Sequence, residues 1–239
     1  MATSLDLQEQ EQLDELKAFW NKYGNLVTWV LIAVLGAYGA WNGWQWYQRD
    51  QATKAAAMYD ELERAAQTGD AERAARIFAD LREHYPRTAF AAQGALEAAR
   101  AQFDHGQADA ARASLGWAAE NARDDDIRTI ARLRLAGLLA DAKQYDEALR
   151  VLDAARAGAF EALVADRRGD VLMAQGKTAE AKAAYQAAWA AMAPETPYRQ
   201  VIEAKLTAMG AAPAGAPGGA AGAAGSAGPE TASGSGAAK

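Results

Sequence analysis

Cysteine is missing altogether, so structural disulfides, thiolate nucleophiles and cysteine-held zinc are excluded from the start. Histidine is nearly as scarce. His84 and His105 have no acidic partner at a fixed helical spacing around both, so they form no ligand pair on one helix face. A basic surplus is also lacking: 25 basic residues stand against 31 acidic ones, a net charge of −6, and phosphate neutralisation requires the opposite balance. Nucleic acid is therefore not an expected partner. The sequence contains no phosphate-cradling glycine loop, nucleophile elbow or metal-ligating histidine pair, so no catalytic residue, metal site or cofactor is expected. Proline occurs six times in 239 residues, and alanine dominates the 51% of residues that are hydrophobic, which favours helix over strand. The expected fold class is all-α.

Charge is absent from residues 23–48. As a helix this stretch extends about 39 Å, enough to cross a hydrocarbon core of about 30 Å. Leu26, Val27, Val30, Leu31, Ile32, Val34 and Leu35 give it an apolar middle. Together they favour insertion by about 2–4 kcal/mol, which one central arginine would nearly cancel. Phe19, Trp20 and Tyr23 precede the stretch, and Trp41, Trp44, Trp46 and Tyr47 close it, as expected of rings that prefer the headgroup level. The rival reading is a cleaved signal peptide. Against it stand the acids Asp6, Glu9, Glu11, Asp14 and Glu15 in the leading segment and the tryptophan-rich exit.

Residues 1–22 are expected to form an amphipathic arm, with Leu13, Leu16 and Trp20 on one face and Asp6 placed as a cap three residues before Glu9. Basic residues divide almost evenly between the two flanks of the apolar stretch. Long domains cross a membrane largely regardless of charge, so the short arm with Lys22 at its end decides, and the expected orientation puts the N-terminus inside.

Beyond residue 48 the chain repeats with a period near 34–37 residues, the mark of stacked helical hairpins. Turns followed by helix starts recur at Gly69-Asp70-Ala71, Gly106-Gln107-Ala108, Lys143-Gln144-Tyr145 and Gly176-Lys177-Thr178, and only the third lacks the turn glycine. Ala74, Ala111, Ala148 and Ala181 are each followed four residues later by a large side chain: Phe78, Leu115, Leu152 and Tyr185. That spacing puts small and large residues on one helical face, where the small one admits a neighbouring backbone and the large one fills the gap. The first helices carry a matching position at Leu62, Ala99, Ala136 and Gly169, and Pro86 closes the first hairpin. The pattern resembles the tetratricopeptide repeat, although that repeat's usual tryptophan is absent and other two-helix solenoids fit as well.

Residues 49–209 are thus expected to form about four hairpins plus a capping helix that starts after Thr196-Pro197 and carries Tyr198, Val201, Ile202, Leu206 and Met209 on one face. Residues 210–239 are alanine, glycine, proline and serine with little else, and are expected to be a disordered tail. The cluster Asp124-Asp125-Asp126 precedes a helix and reads as capping rather than a cation site. Arg123, Arg128, Arg132 and Arg134 are expected to pair with these aspartates or to face solvent.

Two places are candidates for function. Gly36, Gly39, Ala40 and Gly43 form a stripe of small residues in the apolar helix, suited to close packing against another helix or a second copy of the chain. By repeat position, Tyr59, Arg100, Phe103, Leu133, Asp170 and Met173 are candidates for a partner-binding groove on the first helices.

The order of parts is a short acidic arm ending Leu16-Lys17-Ala18-Phe19-Trp20, a membrane helix leaving through Gly43-Trp44-Gln45-Trp46-Tyr47, and then divergent hairpins. This layout, over roughly residues 5–209, resembles the YfgM family of bacterial inner-membrane proteins; the alanine- and glycine-rich tail departs from it. The resemblance implies an ancillary subunit of the Sec translocon. It implies a single-pass protein with a cytoplasmic N-terminus and a periplasmic repeat domain, working on exported polypeptides beside a membrane-anchored periplasmic chaperone or isomerase. The residues alone imply a tethered scaffold that holds polypeptide partners, and a structural adaptor for envelope or division complexes shares that architecture.

Overall fold

Helix formers dominate the chain, and in the computed structural model every regular element is helical among the described residues, which are 7–155 and 158–212, with side chains from Leu13 onward. The cap expected at Asp6 and the tail beyond Ala212 lie outside them. The elements are α1 (Leu7–Gln67), α2 (Ala71–His84), α3 (Ala89–Asp104), α4 (Ala108–Asn121), α5 (Asp125–Asp141), α6 (Tyr145–Asp153), a single 3-10 turn (Gly158–Phe160), α7 (Glu161–Ala174), α8 (Thr178–Ala191) and α9 (Arg199–Ala208). The chain divides into two units, residues 1–56 and 57–239.

The first unit is the N-terminal part of α1, which is long and apolar enough to cross a membrane. Leu26, Trp29, Val30, Leu31, Val34 and Leu35 are all more than half exposed, as lipid-facing side chains must be. Its polar side chains return to their own backbone: Thr28 Oγ1 donates to the Gly24 carbonyl at 2.8 Å and Asn42 Nδ2 to the Tyr38 carbonyl at 3.3 Å. Each removes a donor that hydrocarbon would leave unsatisfied. The Phe19 and Tyr23 rings meet at 5.2 Å at one end of the apolar stretch, and those of Trp44 and Tyr47 at 6.2 Å at the other. Among the described residues no side chain lies within 4 Å of the space that a methyl group would occupy at Gly36, Gly39 or Gly43, so none of them covers the stripe these glycines form with Ala40.

In the second unit the C-terminal end of α1 begins the first hairpin with α2. The pairs α3–α4, α5–α6 and α7–α8 follow, and α9 packs on α8 as the cap. Each hairpin turn closes the same way. The N–H groups of Asp70, Gln107, Gln144 and Lys177 reach back five residues to the carbonyls of Ala65, Gln102, Leu139 and Leu172 at 2.8–2.9 Å. That bond needs a left-handed residue just before the donor. Gly69, Gly106 and Gly176 supply it with φ of 76°, 75° and 82°, and Lys143 supplies it with φ of 60°. A lysine pays a steric cost there that glycine does not. Because Lys143 is exposed and has no side-chain partner among the described residues, Lys143→Gly should raise stability by about 1 kcal/mol. A urea titration checks this, and an unchanged midpoint would refute it.

Inside the stack the recurring alanines are sealed: Ala74, Ala111, Ala148 and Ala181 are fully buried, with Phe78, Leu115, Leu152 and Tyr185 beside them in the core. Ile202 and Leu206 are among the largest fully buried side chains and share a core with Tyr185 and Ala188, so the cap shields the last hairpin as the solenoid requires. Asp124 caps α5 by accepting from the N–H groups of Asp126 and Ile127 at 2.8 and 3.2 Å, with Asp125 and Asp126 in the first turn. Arg128 pairs with Asp125.

Candidate functional site

Between the first helices of the second and third hairpins lies a cavity of about 420 Å³. Its apolar wall is Leu96, Ala99 and Phe103 from α3, Leu115 from α4 and Leu138 from α5, and its polar lining is Arg100, Arg134 and Asp141. The cavity exists because α3 and α5 carry small residues where the hairpins meet. Ala99 and Ala136 let the helices approach, and Gly137 lines the cavity without a side chain, the Arg167 guanidinium standing 3.6 Å from where its Cβ would be.

Two of the residues placed in a groove by repeat position meet here. Phe103 is 47% exposed and forms part of the apolar wall. Arg100 lies at the rim, loosely shared between Glu97 and Asp104 at 3.9 Å each. The other four stand elsewhere. Tyr59 is half-buried in the first hairpin with its ring 5.9 Å from that of Phe90; burial raises its hydroxyl pKa, and Glu63, Glu97 and Asp60 add to the effect. Leu133 packs against the core shared by α5, α6 and α7. Asp170 accepts hydrogen bonds from Tyr185 at 2.8 Å and Lys205 at 2.6 Å, so its carboxylate is engaged in holding the cap. Met173 is exposed and does not line the cavity.

Leu96, Gly137, Leu138 and Asp141 were not legible as site residues, and Arg134, expected to pair with the nearby aspartates or to face solvent, is exposed and lines the cavity. The available signal was the spacing Arg134, Gly137, Leu138, Asp141, which is i, i+3, i+4, i+7 and therefore one helical face. Its mixed chemistry hid it, because neither the apolar nor the charged part is periodic alone.

Chemically, the wall of the cavity is mostly apolar, with charged side chains at its edges. It holds no nucleophile beside a base, and among the described residues no three His, Asp or Glu side chains converge as metal ligands. His105 is engaged locally, its Nδ1 lying 2.8 Å from the Ala101 carbonyl at the end of α3.

The chain matches a tetratricopeptide repeat-like domain family over residues 17–211. It is 32% identical to a protein of Neisseria gonorrhoeae named ancillary SecYEG translocon subunit, over 85% of this chain and 98% of that relative. Proteins of the same name from Escherichia coli and Haemophilus influenzae are 29% and 28% identical, over 75% and 76% of this chain and 86% and 89% of theirs.

Proposed function

The chain belongs to the YfgM family of ancillary SecYEG translocon subunits with a tetratricopeptide repeat-like domain, and from that premise we propose that it is a membrane-anchored, non-enzymatic interaction subunit of the Sec translocon. Residues 1–22 form the cytoplasmic arm, residues 23–48 the membrane span, residues 49–209 a periplasmic repeat domain and residues 210–239 a tail. The repeat domain receives newly exported polypeptides and works beside a membrane-anchored periplasmic chaperone or isomerase. The observation that carries this reading is the continuity of the family match over residues 17–211, which takes in the apolar helix and every hairpin together. A scaffold role accords with a cavity built to receive an apolar group and containing no catalytic constellation.

Purification of the full-length protein from inner membranes in mild detergent tests the assignment, and translocon subunits should accompany it. Recovery with division or envelope-assembly proteins instead would replace the reading with that of a structural adaptor. Protease added to cells with an opened outer membrane should degrade the repeat domain and spare the arm. A protected repeat domain would overturn the orientation.

A further inference from the structure

The geometry points to the cavity between α3 and α5 as a receptor for an extended polypeptide segment that carries one bulky apolar side chain between an acidic and a basic residue. This rests on the repeat domain holding polypeptide partners and adds the chemistry of the segment held. The cavity's volume of about 420 Å³ lies within the range of about 300–1,000 Å³ common to ligand sites, and its wall of Leu96, Ala99, Phe103, Leu115 and Leu138 favours an apolar group.

The charges around it decide what flanks that group. Arg100 lies loosely between Glu97 and Asp104, and Arg167 stands 3.9 Å from Asp170, so each already has a carboxylate beside it. Arg134 has no carboxylate partner among the described residues, and its guanidinium meets only the Leu96 carbonyl, at the outer limit of 3.5 Å. Asp141, two turns further along the same face of α5, has no partner among the described residues either. Seven residues separate the two by about 10.5 Å along the helix axis, too far to pair with each other. A cation thus stands at one end of an apolar slot and a carboxylate at the other. A purely acidic ligand meets Asp141, and a purely basic one meets Arg134. Phosphate-bearing ligands are repelled by Asp141 together with Glu97 and Asp104.

In an extended segment, side chains two residues apart point to the same side. An aspartate, a phenylalanine and a lysine at alternate positions therefore present one face, with the two charges about 13 Å apart, within side-chain reach of Arg134 and Asp141.

Fluorescence anisotropy on the full-length protein in detergent tests this with labelled heptapeptides. The matched probe has a central phenylalanine, aspartate two residues before it and lysine two residues after; other probes carry lysine or aspartate at both flanking positions, or glycine at the centre. The matched peptide should bind about two- to fivefold tighter than either single-sign peptide, and the central glycine should cost about tenfold or more. Gly137→Leu should fill the slot and weaken the matched peptide about tenfold. Its added Cβ meets nothing closer than Arg167 at 3.6 Å, and unchanged circular dichroism will establish that the variant folds. Arg134→Glu should turn the preference toward the peptide with two lysines. Equal affinity for all charge patterns, or unaltered binding by folded Gly137→Leu, would overturn the proposal. Failure to bind any peptide, in a protein that still brings down the translocon, would overturn it while leaving the translocon assignment intact.

Discussion

Lys205→Met should lower the unfolding free energy of the repeat domain by about 2–4 kcal/mol. Asp166 is only 3% exposed, and its two oxygens accept from Lys205 Nζ and from the Tyr198 hydroxyl, each at 2.8 Å. Lys205 also donates to Asp170 at 2.6 Å, and Asp170 accepts from Tyr185 at 2.8 Å. Burial works against the charge on Lys205, but its hydrogen bonds to Asp166 and Asp170 outweigh that and raise its pKa. A lysine raised above its unfolded value contributes stability that is complete below that value and lost as pH rises through the folded one. The full contribution is therefore present at neutral pH.

Burial first, and hydrogen bonding to a carboxylate second, raise the pKa of Tyr185 and Tyr198, so both phenols remain protonated donors. Removing the ammonium leaves Asp166 with one neutral donor and no compensating charge. Urea titration should show the loss, with hydrogen exchange fastest in α9, the element that the lysine ties to α7. Because the cost lies in the orphaned carboxylate, Lys205→Met with Asp166→Leu should be more stable than Lys205→Met alone. A shift below about 0.5 kcal/mol for the single change would reduce this network to an ordinary surface ion pair.

That network was not visible in the chain. Tyr198, Ile202 and Leu206 were legible as one face of a capping helix because they follow helical spacing, and Ile202 and Leu206 are indeed sealed in the core. Lys205 is part of no such pattern, and its partner Asp166 lies 39 residues away on another helix. A contact at that distance depends on how α9 lies across α7, which periodicity does not encode. The hairpins were legible for the opposite reason. Each turn is built from contacts no more than five residues apart, and the left-handed position recurs at Gly69, Gly106 and Gly176. Lys143 broke the glycine pattern without breaking the geometry, since one strained residue costs less than the register of a whole hairpin. The cavity falls between these cases. Phe103 and Arg100 came from repeat position, whereas Arg134 and Asp141 acquire meaning only when α3 is laid beside α5.

Repeat position also explains the second large effect, expected at Gly169. The matching first-helix position stands sixteen residues ahead of the large second-helix one in all four copies and is small in three of them, as Ala99 and Leu115, Ala136 and Leu152, and Gly169 and Tyr185, while the first copy pairs Leu62 with Phe78. Where the large residue is a leucine, an alanine suffices opposite it; where it is a tyrosine, the methyl group itself is gone. A Cβ at Gly169 would lie 2.5 Å from Tyr185 Cε1 and 2.6 Å from Cδ1, closer than van der Waals contact permits. The ring has little freedom to retreat, because it is 3% exposed and its hydroxyl is held by Asp170.

Gly169→Ala should therefore destabilise the domain by about 1–3 kcal/mol, overpacking outweighing the gain of about 1 kcal/mol that alanine brings to a helix interior. The sign should reverse once the ring is removed. In a Tyr185→Ala background the same substitution should stabilise by about 0.5–1 kcal/mol, since only the helix propensity remains. Urea titrations of the wild type, both single variants and the double variant give the coupling directly. Additive effects would mean that Gly169 is not there to admit the tyrosine, and that the match of small and large residues across this hairpin does not hold it together.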